Sequence, residues 1–415
     1  MNPYTNRESA VIRMGQAALA PKVPTQLLPA QSLQLHLTHP TAGECRESIW
    51  RLSFRAWGDT LSLPQYLEES AYLTSVPLAK DGRMTIWVLV DKASPPDHRP
   101  ILCSCETFRK HALISDKDGN VIDSIVHGIA SVYCNPAYRG RGYASRMMRE
   151  LAKRLPSWQA EDMKCAGSVL YSDIGKTYYA KFGWHPFPNN THIEVQPSIP
   201  TSPPKASQLL AGDLDQLCKQ DEALSRAAIA HPSGGKIRMM LVPDIDHMLW
   251  HHKKAEFAAD KLFGESPPVK GAIAGEPGNR IWVIWTHRYY GDPEKASSGN
   301  TLYILRLVLE NQASANIFSP EGAWMPSDVG GLRLQADSLR CILQAAQAEA
   351  AEWKLQRLEL WDPTPLVLEL LERTGISHEL VVREDADIAS LCWFGEGSGK
   401  EDMLEWVANE RFAWC

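Results

Sequence analysis

Arginine and glycine alternate in one short stretch of the sequence, Arg139-Gly140-Arg141-Gly142-Tyr143-Ala144. The two glycines allow the backbone to turn tightly, so that several consecutive N–H groups point towards one place at the positive end of the following helix. A nest of this kind suits a pyrophosphate, and Arg139, Arg141, Arg146 and Arg149 add positive charge beside it. The spacing therefore predicts a diphosphate-binding turn that opens a helix.

Two better-known phosphate loops fit this sequence less well. The dinucleotide fingerprint needs a third glycine and a later acidic residue within a β-α-β unit, and the sequence offers no such combination. The stretch 395–401, GEGSGKE, has glycine spacing one residue too short for a P-loop, and Glu401 replaces the magnesium-binding Ser or Thr. We interpret this stretch as a surface loop.

The elements around the glycine turn follow a regular order. Turn residues at 94–97 and 116–120 separate three apolar strands, which predicts antiparallel hairpins. The order β-α-α-β-β-β-α-β-α-β indicates an α+β sheet with one parallel pair after the glycine turn. The predicted strands cover 33–37, 84–90, 101–108, 124–133, 167–171 and 192–195, and the predicted helices cover 42–57, 64–73, 142–155 and 175–182.

A proline-dense stretch divides the chain. Four prolines between 197 and 204 cannot continue a helix or an inner strand, so they indicate an extended connector. The sequence predicts four parts, namely a polar leader over 1–32, a domain over 33–196, a linker over 197–206 and a second domain over 207–415.

The second domain repeats the order of elements found in the back half of the first. Strands are predicted at 281–289 and 301–310, a long helix at 337–354, a strand at 358–361 and a helix at 365–373. The recurrence predicts an internal duplication, with an unrelated α+β cap as the alternative. No arginine-led glycine turn occurs between 312 and 333, so we expect no second diphosphate site.

Composition limits the class of protein. The 415 residues carry 43 Lys and Arg against 49 Asp and Glu, and this mild acidity argues against a general nucleic-acid binder. No apolar run approaches the roughly 18 residues that a membrane-spanning helix needs. Nine cysteines without framework spacing favour a reduced, cytoplasmic compartment, and nothing in the sequence indicates an oligomeric state.

The glycine turn resembles the Arg/Gln-x-x-Gly-x-Gly/Ala motif of the GNAT superfamily of N-acetyltransferases. A second stretch, Tyr178-Tyr179-Ala180-Lys181-Phe182-Gly183-Trp184, is similar to the aromatic ending of that superfamily's fourth helix. The phrases Cys105-Glu106-Thr107, Tyr171-Ser172-Asp173 and Trp184-His185-Pro186 resemble, more narrowly, the fungal L-lysine N6-acetyltransferase-like family. That resemblance implies tandem GNAT-like mixed sheets flanked by helices, the first catalytic and the second degenerate.

The resemblance also implies acetyl-CoA as cosubstrate and no metal. Its pantetheine arm would pair with the strand near Val132 and Tyr133, and its pyrophosphate would lie on the amides of the glycine turn. The resemblance implies a small-molecule amine as acceptor, namely the side-chain amine of free L-lysine or a related cationic amine, without nucleic-acid or membrane partners. The implied cofactor residues are Val132, Tyr133, Arg139, Gly140, Arg141, Gly142, Tyr143, Ala144, Ser145 and Ser172.

The same resemblance implies roles for titratable side chains. Tyr179, four residues before Gly183, would protonate the departing thiolate, although Tyr178 could occupy that place instead. A lysine-type amine has a pKa of about 10.4 and must lose a proton before it attacks. His127, Glu106 and Asp173 are the candidate bases, with a packed strand histidine as the alternative for His127.

Two other functions remain open at this point. The same turn could serve acyl transfer to a secondary-metabolite or xenobiotic amine or hydroxyl, or with a longer acyl chain. The cleft could also bind an acyl-CoA without turnover, as a sensor. The second domain would either wall the acceptor side of the cleft or only stabilise the first.

Overall fold

Two β-sheets form the framework of the chain, as seen in a computed structural model that describes residues 27–202, 204–231, 235–312, 329–395 and 403–414. The leader up to residue 26 and the loop from residue 396 therefore lie outside the described residues. Among the described residues, no helix combines the length and apolarity that crossing a bilayer requires.

The first half of the chain contains strands β1 to β7 and helices α1 to α4. Their bounds are β1 (Leu35–Thr38), α1 (Ala42–Glu44), a π-helix (Cys45–Trp50), α2 (Arg51–Trp57), α3 (Leu63–Leu73), β2 (Met84–Asp91), β3 (Cys103–Ser115), β4 (Val121–Cys134), α4 (Tyr143–Arg154), β5 (Cys165–Ser172), β6 (His185–Pro186) and β7 (Thr191–Val195). Short 3-10 helices cover Pro136–Tyr138, Leu155–Ser157 and Tyr179–Phe182.

The second half contains strands β8 to β16 and helices α5 to α8. Their bounds are β8 (Ser207–Leu210), α5 (Leu214–Ile229), β9 (Ile237–Leu241), α6 (Ile245–Phe263), β10 (Val269–Ala274), β11 (Ile281–Arg288), β12 (Thr301–Leu309), α7 (Val329–Glu352), β13 (Arg357–Trp361), α8 (Pro365–Thr374), β14 (His378–Val382), β15 (Ile388–Trp393) and β16 (Leu404–Trp406). Further 3-10 helices cover Ala211–Asp213, Glu310–Gln312 and Arg411–Ala413.

The first sheet has the order β1-β2-β3-β4-β5-β15-β6, with β9 attached to β3 and β16 attached to β9. The pairs β2–β3 and β3–β4 are antiparallel, and β4–β5 is parallel, as the sequence predicts. Helix α4 packs on one face of this sheet, because its Met147, Met148 and Leu151 form a fully buried apolar stripe.

The second sheet has the order β14-β7-β13-β12-β11-β10-β8. Strands β12 and β13 are parallel, like β4 and β5 in the first sheet. The order strand, strand, helix and strand therefore recurs, but the helix α8 that ends the pattern in the second half corresponds to a single 3-10 turn, Tyr179–Phe182, in the first half, and the internal duplication stays a prediction. An apolar core on one face of this sheet involves α7 and α8. Another core joins the two sheets, with Trp282 and Ile284 of β11 packed among residues of the first sheet.

Strands β7 and β15 each belong to a different sheet from the one that their position in the sequence suggests. The prediction that the strand at 192–195 closes the first sheet was wrong, because β7 pairs with β13 and β14 of the second sheet. Conversely, strand β15 comes from the second half of the chain but belongs to the first sheet, where it pairs antiparallel with β5 along six residues. The residues 197–206 therefore connect two strands of the second sheet, and the division into domains at that linker stays a prediction.

The segment that carries Tyr179 also differs from its prediction. A helix was expected over 175–182, but only Tyr179–Phe182 is helical, as one 3-10 turn. Gly175 and Gly183 both adopt the left-handed region, with φ of 77° and 105°, and they confine the helical backbone to the residues between them. Tyr179 consequently stands at the start of a short, sharply bounded turn.

Candidate active site

The gap between β4 and β5 leads to two neighbouring cavities. The register of the two strands ends at Ile129 and Leu170, while β4 continues to Cys134. We call the two spaces the loop cavity, about 440 Å³, and the deep cavity, about 460 Å³. Both are lined by Val132, Ile174 and Tyr179, so these residues stand between them.

The loop cavity is built around the predicted glycine turn. Gly140 and Gly142 have φ of 74° and 82°, which only glycine adopts freely. A Cβ atom at Gly140 would have no neighbour within 4 Å, so the turn is open on that side. Of the predicted cofactor residues, those that line this cavity are Val132, Tyr133, Arg139, Gly140, Gly142, Tyr143, Ala144 and Ser145.

The arginines near the turn divide into two groups. Arg139 and Arg141 are exposed at the turn, and Arg139 Nε donates to the carbonyl of Cys134 at 3.1 Å. Arg146 instead forms an ion pair with Glu150, with 2.9 Å between Nε and Oε1, and its Nη1 also donates to the backbone carbonyl of Ala30. The positive charge that a diphosphate would meet therefore comes mainly from Arg139 and Arg141.

Tyr179 lies at the junction of the cavities and is only 8% exposed. Burial raises the pKa of its phenol well above the ordinary value, and the neighbouring Tyr178 and Asp173 act in the same direction. The hydroxyl is therefore protonated at neutral pH and able to donate a proton. The Tyr178 ring packs edge-on against the Tyr179 ring, with 5.0 Å between centroids.

Glu106 extends from β3 into the deep cavity. Burial raises the pKa of its carboxyl group, and the Ser131 hydroxyl and the Lys254 ammonium oppose that shift. The Ser131 Oγ donates to Glu106 Oε2 at 2.8 Å. A carboxylate held in this way has more proton affinity than an ordinary glutamate, as a general base requires.

Asp173 follows β5 and also lines the deep cavity. Although the residue as a whole is exposed, partial loss of water around its carboxyl group, and next the nearby Asp387, raise the pKa of that group to about 6, while Arg411 acts in the opposite direction. The backbone N–H of Asp387 donates to Asp173 Oδ1 at 3.2 Å. Asp173 thus belongs to a group of charges supplied by both halves of the chain.

Besides Arg141, which is exposed at the turn, two predicted site residues line neither cavity. His127 is fully buried in β4, with 2.9 Å between its Nε2 and the carbonyl of Trp158, and burial lowers its pKa to about 4. Ser172 is 1% exposed and donates to the carbonyl of Gly175 at 2.8 Å, so it holds the turn that leads to Tyr179. Their roles as base and cofactor residue have no support from geometry and stay predictions.

The deep cavity also contains charged residues that the sequence did not single out. Arg288 Nη2 lies 2.5 Å from Asp59 Oδ2, and Lys254 Nζ lies 2.7 Å from Glu69 Oε2. These pairs join the second half of the chain to α3 and to the turn after α2, so only the tertiary fold reveals them. Carboxylates outnumber cations in the lining, which contains Asp59, Glu69, Glu106, Asp173, Asp387, Lys254 and Arg288.

One group of described residues has the composition of a metal site. His192, Glu194 and Glu359 bring ligand atoms within 4.8 Å of one another in the second sheet. Arg357 already pairs with both carboxylates of this group, because its Nε lies 2.8 Å from Glu359 Oε1 and 3.9 Å from Glu194 Oε1. The three ligands are thus committed to an internal ion-pair network, away from both cavities.

Comparison with known families agrees with this geometry. Residues 111–184 match the model of the acetyltransferase (GNAT) family, and residues 190–415 match the model described as the LYC1 GNAT-like C-terminal domain. The second match covers more than half of the chain, which therefore belongs to the LYC1-like family of GNAT proteins. The chain is a GNAT N-acetyltransferase, and its cosubstrate is an acyl-CoA.

Individual proteins are similar to this chain over different shares of its length. A lysine acetyltransferase of Yarrowia lipolytica is 26% identical over 275 residues, which are 56% of this chain and 67% of the relative. An uncharacterized protein of Saccharomyces cerevisiae is 20% identical over 87% of this chain and 92% of its own length. Among solved structures, a GCN5-related N-acetyltransferase from Kribbella flavida is 17% identical, with a TM-score of 0.46 over 86% of this chain and 70% of that one.

Proposed function

We propose that this enzyme transfers an acetyl group from acetyl-CoA to the side-chain amine of free L-lysine or a related small cationic amine. The observation that carries the proposal is the position of Tyr179 between the loop cavity and the deep cavity. A thioester that enters from the glycine turn and an amine that enters from the deep cavity would meet beside this hydroxyl. The relative from Yarrowia lipolytica, a lysine acetyltransferase, supports the choice of acceptor.

The charge and the size of the deep cavity favour a small cation. A space of about 460 Å³ lies within the range of small-molecule pockets. Its excess of carboxylates attracts an ammonium group, and aromatic faces add further attraction for a cation. The aromatic residues in the lining are Trp50, Trp57, Tyr66, Tyr171, Tyr179, Trp250, Tyr290 and Trp414.

Glu106 would take the proton from the bound ammonium group. Burial raises the pKa of the Glu106 carboxyl, and the same surroundings lower the pKa of an amine that leaves water. The two values approach each other, so the transfer costs less than it would in solution. The free amine would then attack the thioester carbonyl directly, with both substrates bound at once.

Tyr179 would complete the reaction as general acid. As the carbon–sulfur bond breaks, the phenol would give its proton to the departing thiolate of coenzyme A. The raised pKa of Tyr179 keeps that proton in place until the negative charge develops on sulfur. After the products leave, Glu106 releases its extra proton to solvent and Tyr179 takes one up, which restores both residues to their starting protonation states.

A panel of acceptors tests the proposed function. The purified chain is incubated with acetyl-CoA and with lysine, ornithine, cadaverine, spermidine or neutral hydroxyl compounds, while free thiol and acetylated products are measured by mass spectrometry. We expect stoichiometric release of thiol with lysine-like amines. Release with hydroxyl compounds alone would refute the proposal in favour of O-acylation, and binding without any turnover would favour an acyl-CoA sensor.

A further inference from the structure

An ion pair between the two halves of the chain faces the deep cavity. Arg288 is the last residue of β11, and Asp59 lies in the turn after α2. Their side chains are 14% and 11% exposed, and both line the cavity. Burial of two charges costs several kcal/mol of desolvation, so such a pair is weak evidence for a purely stabilising role.

The surroundings of Arg288 hold its guanidinium group in place. The group lies over the rings of Tyr290 and Trp414, with 5.3 and 5.9 Å from its central carbon to the ring centroids. Its Nη2 contacts Asp59, whereas its Nε is buried and has no hydrogen-bond partner among the described residues. Asp59 thus leaves part of the donor capacity of Arg288 unused.

The charged residues of the deep cavity interact with one another. Asp59 pairs with Arg288, and Glu69 acts on Arg288 while it pairs with Lys254. Lys254 in turn acts on the carboxyl group of Glu106. These interactions link Arg288 and Asp59 to Glu106 through the Lys254–Glu69 pair, and all five residues line the deep cavity.

We propose that Arg288 and Asp59 bind the α-carboxylate and the α-ammonium group of an amino-acid acceptor. A cation and an anion side by side are the electrostatic complement of a zwitterionic head group. The planar guanidinium fork binds a carboxylate in a bidentate manner, which the ammonium of Lys254 cannot do. The side chain of the acceptor would then extend through the same cavity and place its terminal amine near Glu106. This inference rests on the proposed function.

Acceptors that lack one half of the head group test this assignment. Cadaverine has the lysine skeleton without the carboxylate, and 6-aminohexanoate has it without the α-amine. In the wild-type enzyme, we expect a KM for cadaverine and for 6-aminohexanoate that exceeds the KM for lysine. Arg288→Met should raise the KM for lysine and for 6-aminohexanoate by roughly 10- to 100-fold, as expected for a lost charge-assisted hydrogen bond, and change that for cadaverine by less than about threefold.

Companion variants keep the test independent of folding. Arg288→Lys retains the charge and should give an intermediate KM for lysine, whereas Asp59→Asn should raise the KM for lysine and cadaverine but not for 6-aminohexanoate. Unchanged affinity for coenzyme A by calorimetry shows that each variant is folded. Equal losses for lysine and cadaverine in Arg288→Met and Arg288→Lys would overturn the inference and leave the proposed function intact. Absence of thiol release with all three acceptors in the wild type would overturn both.

Discussion

The Ser131 hydroxyl donates to the Glu106 carboxylate at 2.8 Å, and Ser131 lies where β4 gains one residue relative to β3. The register passes from Ser104 opposite Tyr133 to Glu106 opposite Ala130, which leaves Ser131 and Val132 in a bulge. Ser131 accordingly has a φ of 52°, in the left-handed region. The bulge turns β4 away from regular pairing at the point where both cavities meet.

Glu106→Gln should lower kcat by about 10²- to 10⁴-fold, the usual contribution of a general base. The base is active when deprotonated, and burial raises its pKa, so wild-type activity should fall as pH falls through a value above that of an ordinary glutamate. The variant should lose this acidic limb in a pH profile of kcat/KM. If the limb persists in Glu106→Gln and disappears in Asp173→Asn, whose wild-type carboxyl has a pKa of about 6, Asp173 is the base instead.

Tyr179→Phe should lower kcat by about 10²-fold or more and leave the affinity for acetyl-CoA unchanged, because the phenol is needed only when the thiolate departs. Steady-state kinetics and calorimetry with coenzyme A measure the two quantities. Tyr178→Phe is the matched variant, since the two rings are in contact. Loss of kcat in Tyr178→Phe with a normal Tyr179→Phe enzyme would transfer the role to Tyr178.

Gly142→Trp should abolish measurable binding of coenzyme A, because Gly142 lines the loop cavity and an indole there would fill space that the predicted nest of N–H groups leaves for the diphosphate. Gly375→Trp is the matched control. Gly375 also has a left-handed φ, 69°, but it follows α8 and lines neither cavity. Both variants should lose similar stability, while only the first loses calorimetric binding. Retained affinity in a folded Gly142→Trp protein would exclude the glycine turn as the diphosphate site.

One molecule of coenzyme A should bind per chain. Glu310 follows β12 directly, at the place where Asn135 follows β4, and its carboxylate accepts from Gly278 N and Arg280 Nε at 2.9 Å. The Glu310 carboxylate and the Arg280 guanidinium neutralise each other, so this place offers a diphosphate no net positive charge. Isothermal titration should therefore give a stoichiometry near one. A second saturable site that survives Gly142→Trp would show that the second parallel pair also binds the cosubstrate.

Arg306→Met should lower the free energy of unfolding by about 3–5 kcal/mol, as measured by urea denaturation. Arg306 is 1% exposed and forms ion pairs with Asp221, at 2.8 Å, and with Glu410. Removal of its charge leaves two buried carboxylates without a cation. Lys219→Met, which breaks the exposed Lys219–Asp215 pair, should change stability little, and an equally small loss in Arg306→Met would contradict the importance of the buried group.

Local features of the sequence were sufficient to predict the glycine turn. The conformation at Gly140 and Gly142 depends on the absence of a side chain and on the helix that begins at Tyr143, all within a few residues. The hairpins around β3 and the parallel strand β5 also follow from local turn chemistry and apolar runs. These features are fixed by neighbours along the chain and therefore appear in a single sequence.

The acceptor side of the site could not be predicted in the same way. Arg288 and Asp59 are far apart in the sequence, and no spacing rule brings their charges together. Strand β7 reads as an ordinary alternating strand, but its alternation does not say which sheet it joins. The role of Asp387 beside Asp173 depends on β15 crossing to the first sheet, which is a property of the whole topology.

The reciprocal placement of β7 and β15 makes the two halves inseparable. A fragment that ended within 197–206 would contain β7 without its partner strands β13 and β14. It would also expose the edge of β5 that pairs with β15, and an unpaired strand edge favours aggregation. The complementary fragment would hold β15 with nothing to pair against. Loss of the half without the glycine turn would thus remove β9, β15 and β16 from the first sheet, so that half contributes directly to the sheet that carries the glycine turn.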